Sequence, residues 1–159
     1  MDVISKDSKI KGKGVFALRD FKKGETVIIW HPESIISKEE ISSLSENEQN
    51  HTTYAGNGKY YVVGSPERFV NHSCEPNTYV KGKKDIALKC IKKGEEITTD
   101  YSINGVDNWK MKCKCGSKNC RKIIYGDFRK LDFKTRKKLK PYLEDWFKKE
   151  LKIKKILAK

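Results

Sequence analysis

The run Arg68-Phe69-Val70-Asn71-His72-Ser73-Cys74-Glu75-Pro76-Asn77 decides the fold of this chain. It sets a cation, an aromatic ring, an amide, an imidazole and a thiol in one loop-like stretch, and two other segments share its character. Upstream, Gly12-Lys13-Gly14-Val15-Phe16 carries two glycines, which let a ligand approach the backbone closely. Downstream, Gly94-Glu95-Glu96-Ile97-Thr98-Thr99-Asp100-Tyr101 ends on an acid and a tyrosine. A lone G-x-G is weak: the strand–turn–long-helix setting of a dinucleotide fold is missing, and so is a phosphate loop.

Around these segments the pattern is β-like. Ala17–Val27 reads ALRDFKKGETV and Ala87–Ile97 reads ALKCIKKGEEI, identical at six of eleven positions. Each copy predicts a strand, a K-K-G-E turn and a strand, with Gly24 and Gly94 in the positive-φ region such turns need. Two copies are too few for a solenoid and fit one domain built from two similar β-units. Asn57-Gly58, between Tyr54 and Tyr60-Tyr61-Val62-Val63, is a hairpin signal, and Gly82 marks a second turn. Ile86, Leu88 and Cys90 fall on one strand face. Ser37–Gln49 is polar and predicts a short helix capped by Ser37, with Glu40 three residues on.

The period changes near the end. Leu139, Leu143, Trp146, Phe147, Leu151 and Ile153 or Lys154 recur at three- and four-residue steps, predicting an amphipathic helix. Pro141 suits its first turn, and Glu144 and Asp145 suit its positive end. Asp132 is placed to cap a shorter helix before it. The apolar stripe is expected to pack on the β-body; a partner-binding helix is the alternative.

With 159 residues, one domain is expected, and a single hydrophobic core is feasible at this size. Only 36% of residues are hydrophobic and 35% are charged, so the surface is heavily solvated. There is no apolar run of about 18 residues to span a membrane, and the polar N-terminus does not read as a secretory signal. The expectation is an intracellular monomer, cytoplasmic or nuclear. The net charge of +14 is uneven. Residues 121–159 hold fifteen Lys/Arg against five Asp/Glu, a basic tail suited to nucleic acid or to solvent.

Five cysteines, an odd number, argue against a disulfide framework inside a cell and toward metal. Cys113, Cys115 and Cys120 form C-x-C-x-x-x-x-C around Gly116-Ser117, spaced for a tetrahedral zinc. Spacing leaves the fourth ligand open among Cys74, Cys90, His72, His51 and His31. Cys74, in its loop, is the better candidate, whereas Cys90 sits in a strand pattern and is expected to be a buried, inert thiol.

G-K-G-V-F-A, R-F-V-N-H-S-C-x-P-N, G-E-E-I-T-x-D-Y and C-K-C-G-S-K-N-C-R, in that order, resemble the SET-domain methyltransferases with a post-SET zinc segment. The likeness covers about residues 10–126, with a looser one to the helical end of small stand-alone prokaryotic members. It implies a mostly β fold of several small sheets, with a pseudoknot that brings the chain near Tyr101 against Asn71. It implies an S-adenosylmethionine pocket at Gly12, Lys13, Gly14, Arg68, Phe69, Asn71, His72 and Tyr101, with Tyr101 catalytic. It implies one zinc held by Cys74, Cys113, Cys115 and Cys120. The divisions expected are a SET domain over 1–107, a post-SET segment over 108–126 and a basic helical extension over 127–159.

The activity so implied is protein-lysine N-methylation, with a protein partner presenting a lysine, in chromatin or ribosome association. The chemistry is coherent: roughly one free lysine in a few thousand is neutral at pH 7, so the site must favour the neutral amine and align it. Many members carry Phe or Tyr two residues before the catalytic tyrosine, whereas this chain has Thr99, so the number of methyls stays open. Glu33, Glu39, Glu40, Glu46 and Glu48, in the short insert between the two halves, would suit a basic target. A zinc-dependent nucleic-acid module without catalysis explains the charge and the cysteines but not N-H-S-C-x-P-N with D-Y. A silent SET scaffold is the other rival.

Overall fold

The computed structural model describes residues 2–150. Twelve short strands run through them: β1 (Val3–Asp7), β2 (Lys13–Ala17), β3 (Thr26–Ile29), β4 (Ser34–Ser37), β5 (Thr52–Gly56), β6 (Lys59–Val62), β7 (Asn71–His72), β8 (Thr78–Val80), β9 (Lys84–Ala87), β10 (Glu96–Thr99), β11 (Val106–Lys112) and β12 (Ile123–Asp127). They form four small sheets, ordered β1-β2-β10-β7, β3-β9-β8, β4-β6-β5 and β11-β12. The mostly-β expectation holds.

The two K-K-G-E copies bind each other rather than themselves. Gly94 N donates to Ala17 O and Gly24 N donates to Ala87 O, each at 2.8 Å. Ala17 N donates to Glu95 O at 3.0 Å and Ala87 N to Glu25 O at 2.9 Å. Phe21 and Ile91 exchange both backbone bonds at the centre. The sequence echo is thus a local two-fold, with Gly24 and Gly94 both at φ 87°. Within each turn a glutamate caps the chain: Glu95 accepts from Lys92 N at 3.0 Å, and Glu25 accepts from Lys22 N. Val15, Phe21, Ile91 and Ile97, all within 2% of full burial, fill the core between the copies.

Parity overturns one expectation. On β9 the buried residues are Asp85 and Ala87, while Ile86 and Leu88 are half-buried and Cys90, past the strand end, is exposed. The apolar alternation marked the outer face because Asp85, an acid, holds an inner position. The turns are as expected: Asn57 and Gly58 (φ 53° and 70°) join β5 to β6, and Gly82 and Lys83 (φ 57° and 59°) join β8 to β9. Ser37–Gln49 is not one helix. Glu40 does reach back to Ser37 N at 2.7 Å, but only a 3₁₀ turn follows, and the one α-turn, α1 (Glu46–Gln49), is capped by Ser45 with Glu48.

The C-terminal helix is also broken. Asp132 caps α2 (Phe133–Leu139) by accepting from Thr135 N, a 3₁₀ turn spans Lys140–Tyr142, and α3 (Asp145–Glu150) follows. Pro141 has no N–H to continue α2, and its ring opposes a longer α-helix. Leu143 then turns extended at ψ 144°, and Glu144 N donates to Asn104 Oδ1 at 2.9 Å. The apolar period survives the break because Leu139, Leu143 and Phe147 all enter one second core with Phe128 and Leu131. The stripe packs on the body, as expected; Leu151 and Ile153 or Lys154 lie outside the described residues.

Candidate active site and metal centre

Strand β10 gathers the three sequence segments. On one side it pairs antiparallel with β2, Ile97 opposite Val15; on the other it runs parallel to β7, Thr98 beside Asn71 and Thr99 beside His72. Ser73 N donates to Thr99 O at 3.0 Å, so the segments expected to meet in a pseudoknot do meet.

Asn71 is buried and holds the glycine segment. Its Nδ2 donates to Lys13 O at 2.9 Å, to Lys11 O at 3.3 Å and to Glu96 Oε1 at 2.8 Å. The family resemblance put Asn71 in the cofactor pocket; here its amide binds the loop that would line that pocket. Ser8 Oγ donates to both Glu96 oxygens, at 2.7 and 2.9 Å. Position 14 favours glycine, since a Cβ there would push against the Glu96 carboxylate and Ser8 Cβ and force one of them to shift. Gly12, at φ +48°, has nothing within 4 Å of a built Cβ, leaving its backbone open to a ligand. Lys13 Nζ lies 5.6 Å from the Phe69 ring centroid. Arg68 places Nη2 3.3 Å from His51 Nδ1 and Nη1 3.9 Å from Glu33, while its buried Nε has no partner among the described residues. An open glycine backbone and an unpartnered buried guanidinium N–H are polar groups that a small zwitterionic cofactor would use.

Tyr101 follows β10 and is half-buried. Its hydroxyl donates to Val70 O at 2.7 Å, and its backbone N–H donates to His72 Nδ1 at 3.1 Å. Burial, with the Asp85 and Glu96 carboxyls nearby, pushes the phenol up to about 12. The same segment ends beside Thr99, 8% exposed, whose Oγ1 finds no partner among the described residues.

His72 connects this tyrosine to the cysteines. Burial, only partly offset by Asp100, lowers its pKa to about 4, so the ring is neutral. Nδ1 accepts from Tyr101, which leaves the proton on Nε2, 3.3 Å from Cys74 Sγ. Arg121 makes a second bridge: its N donates to Cys74 Sγ at 3.3 Å and its Nη2 to Asp100 Oδ1 at 2.7 Å.

Cys74, Cys113, Cys115 and Cys120 bring their sulfurs within 4.8 Å of one another. Zinc–sulfur bonds of about 2.3 Å in a tetrahedron require S···S edges of about 3.8 Å. Cys74 and Cys113 stand at 3.7 Å. Burial pushes the Cys113 thiol up, whereas Cys115, despite burial, is held down to about 6 by hydrogen bonds from its neighbours. The donor set fits zinc, and Cys74 is the fourth member, as the sequence suggested.

Sequence reading missed three polar groups near the site. Glu96 and Arg121 stand inside recognised motifs but carry no signal of their own. Asp85 is fully buried, accepts from Trp30 Nε1 at 2.6 Å and Thr78 Oγ1 at 3.4 Å, and is pushed up to about 7 by burial. No helix among the described residues is long and apolar enough to cross a membrane.

The SET-domain sequence profile matches residues 12–102, so the chain belongs to the SET-domain family. It is 36% identical to the histone-lysine N-methyltransferase trithorax of Drosophila virilis over 74% of this chain and 3% of that protein. It is likewise 36% identical to human histone-lysine N-methyltransferase 2D, over 72% of this chain and 2% of that one. The histone-lysine N-methyltransferase set-2 of Caenorhabditis elegans is 34% identical over 72% of this chain and 9% of its own length. The chain therefore spans only a small part of these relatives. Among solved structures, a Plasmodium falciparum protein described as a candidate histone methyltransferase matches with a TM-score of 0.52 at 27% identity, over 63% of this chain and 92% of that one.

Proposed function

We propose that this chain is an S-adenosylmethionine-dependent protein-lysine N-methyltransferase with Tyr101 as its catalytic residue and a zinc ion on Cys74, Cys113, Cys115 and Cys120. The observation that carries the reading is the convergence at β10: the glycine segment in β2 and Asn71-His72 in β7 flank this strand, Tyr101 follows it, and the cysteine cluster touches them through His72. When bound, S-adenosylmethionine supplies a methyl group on a cationic sulfur, open to in-line displacement by a neutral amine. Gly12, Lys13, Gly14, Arg68, Phe69, His72 and Tyr101 would hold it, with the Asn71 amide fixing the glycine segment that it approaches.

Tyr101 positions rather than deprotonates. With a phenol near 12 it stays protonated at neutral pH, and its proton is committed to Val70 O. What it turns toward an incoming amine is an oxygen lone pair, which accepts an N–H and fixes the direction of the nitrogen. The amine loses its own proton to solvent, so turnover is expected to rise with pH toward the lysine range. The relatives act, by name, on histone lysines; extending a basic protein target to this chain draws on the exposed insert glutamates Glu39, Glu40 and Glu46.

The test is transfer of labelled methyl from S-adenosylmethionine into a cell extract and a lysine peptide, with mass spectrometry locating the mark. Tyr101→Phe is expected to lower turnover by on the order of 100-fold while cofactor binding, read by calorimetry, persists. Equal turnover of the variant refutes the role of Tyr101, and absent cofactor binding by the parent refutes the enzyme.

A further inference from the structure

We infer that the solvent-facing side of the β11–β12 hairpin is a nucleic-acid-binding surface. Residues 108–140 carry thirteen Lys/Arg against two Asp/Glu. Both acids are already engaged: Asp127 takes Arg129 through both oxygens, and Asp132 caps α2. Arg121 is likewise held, by Asp100. Lys110, Lys112, Lys114, Lys118 and Lys122 make no ion pair among the described residues. The excess positive charge thus begins in the hairpin, upstream of residues 121–159 to which the sequence reading assigned it, and the hairpin's own lysines stay uncompensated.

Strand register adds what charge alone does not. Lys110 stands opposite Tyr125 and Lys112 opposite Ile123, and residues facing each other across an antiparallel ladder share a side. The other side, with Met111 and Ile124, is the inner one; Ile124 is fully buried. The outer side therefore alternates ammonium groups with an apolar strip. Ile123 is 45% exposed, and Lys130 Nζ sits 5.7 Å from the Tyr125 centroid. A cleft of about 270 Å³ runs alongside, lined by Arg121, Ile123, Tyr125, Lys130, Leu131 and Asp132, the last an acid already engaged in capping α2.

Lysines spaced along a strand match the phosphates of a single strand, and an aromatic–aliphatic strip offers its bases a stacking face. An acidic peptide would use the charges and leave Tyr125 and Ile123 bare. A lysine-rich target would be repelled, so this face is not where a basic substrate docks. The inference is independent of methyl transfer, which is read separately.

The experiment is fluorescence anisotropy of a labelled twelve-nucleotide oligo-dT with the zinc-loaded full chain, across a salt series. Four phosphate contacts predict an affinity loss of about 50-fold between 50 and 200 mM salt. Lys110→Glu with Lys112→Glu is expected to weaken binding at least tenfold and to flatten the salt slope by about 1.4. Tyr125→Ala is expected to weaken binding by about 5- to 150-fold with the slope unchanged. Circular dichroism checks that each variant is folded. Three outcomes overturn the inference: no binding at 50 mM salt, equal losses from Lys23→Glu with Lys93→Glu at the distant turns, or poly-glutamate binding as tightly with Tyr125→Ala silent.

Discussion

Two buried titratable side chains near the site pull stability in opposite directions with pH. His72, lowered to about 4, refuses a proton that the unfolded chain accepts below 6.5. Its contribution is complete above pH 6.5 and falls, by up to about 3 kcal/mol, as pH drops toward 4. Asp85, raised to about 7, keeps a proton that the unfolded chain has already lost above 3.8. It therefore costs stability as pH rises from 3.8 through 7, by up to roughly 4 kcal/mol. Asp85→Asn is expected to gain on the parent between pH 5 and pH 8, measured as urea midpoints. A difference that stays flat over that range means the folded chain does not hold the proton. Tyr101, Asn71 and His72 were legible because each stands in a fixed motif. Asp85 was not, because a carboxylate inside a strand reads as an outward residue, and only its Trp30 and Thr78 partners make the inner position tolerable.

Short elements here are held by particular contacts rather than by propensity. The entry to β2 depends on the space above Gly14, which Glu96 fills. Gly14→Ala is expected to destabilise by about 1–3 kcal/mol, and Glu96→Ala in the same chain to recover part of that loss, a coupling that a double-mutant cycle reads directly. The cysteine loop depends on its sulfurs. Chelation is expected to release one zinc per chain, read by elemental analysis, and to lower both the melting temperature and cofactor affinity, since His72 and Arg121 tie Cys74 to the Tyr101 segment. A stable, active metal-free protein excludes that linkage. The cysteine set could be narrowed from spacing and loop context. The division of the C-terminal stripe into α2, a 3₁₀ turn and α3 could not, because apolar periodicity reports which residues enter a core, not whether one helix carries them all.

Among the described residues two cores share the load, one between the repeated units and one beneath the C-terminal elements. The second reaches the insert: Trp146 lies against Gly56, and its ring centroid is 5.6 Å from that of Tyr54. Trp146→Ala is expected to cost about 2–3 kcal/mol in urea and to raise hydrogen exchange in β5 and β6; protection unchanged there would separate the insert from the C-terminus. The echo between Ala17–Val27 and Ala87–Ile97 was visible as letters, but letters cannot show that each copy supplies the other's hydrogen bonds. That exchange has a consequence for synthesis. The first copy leaves the ribosome seventy residues ahead of its complement, its strand groups at Ala17, Phe21 and Gly24 still bare. Neither half can mature alone, so nascent-chain capture by holding factors should persist until the second copy has emerged, and then end in a single late event.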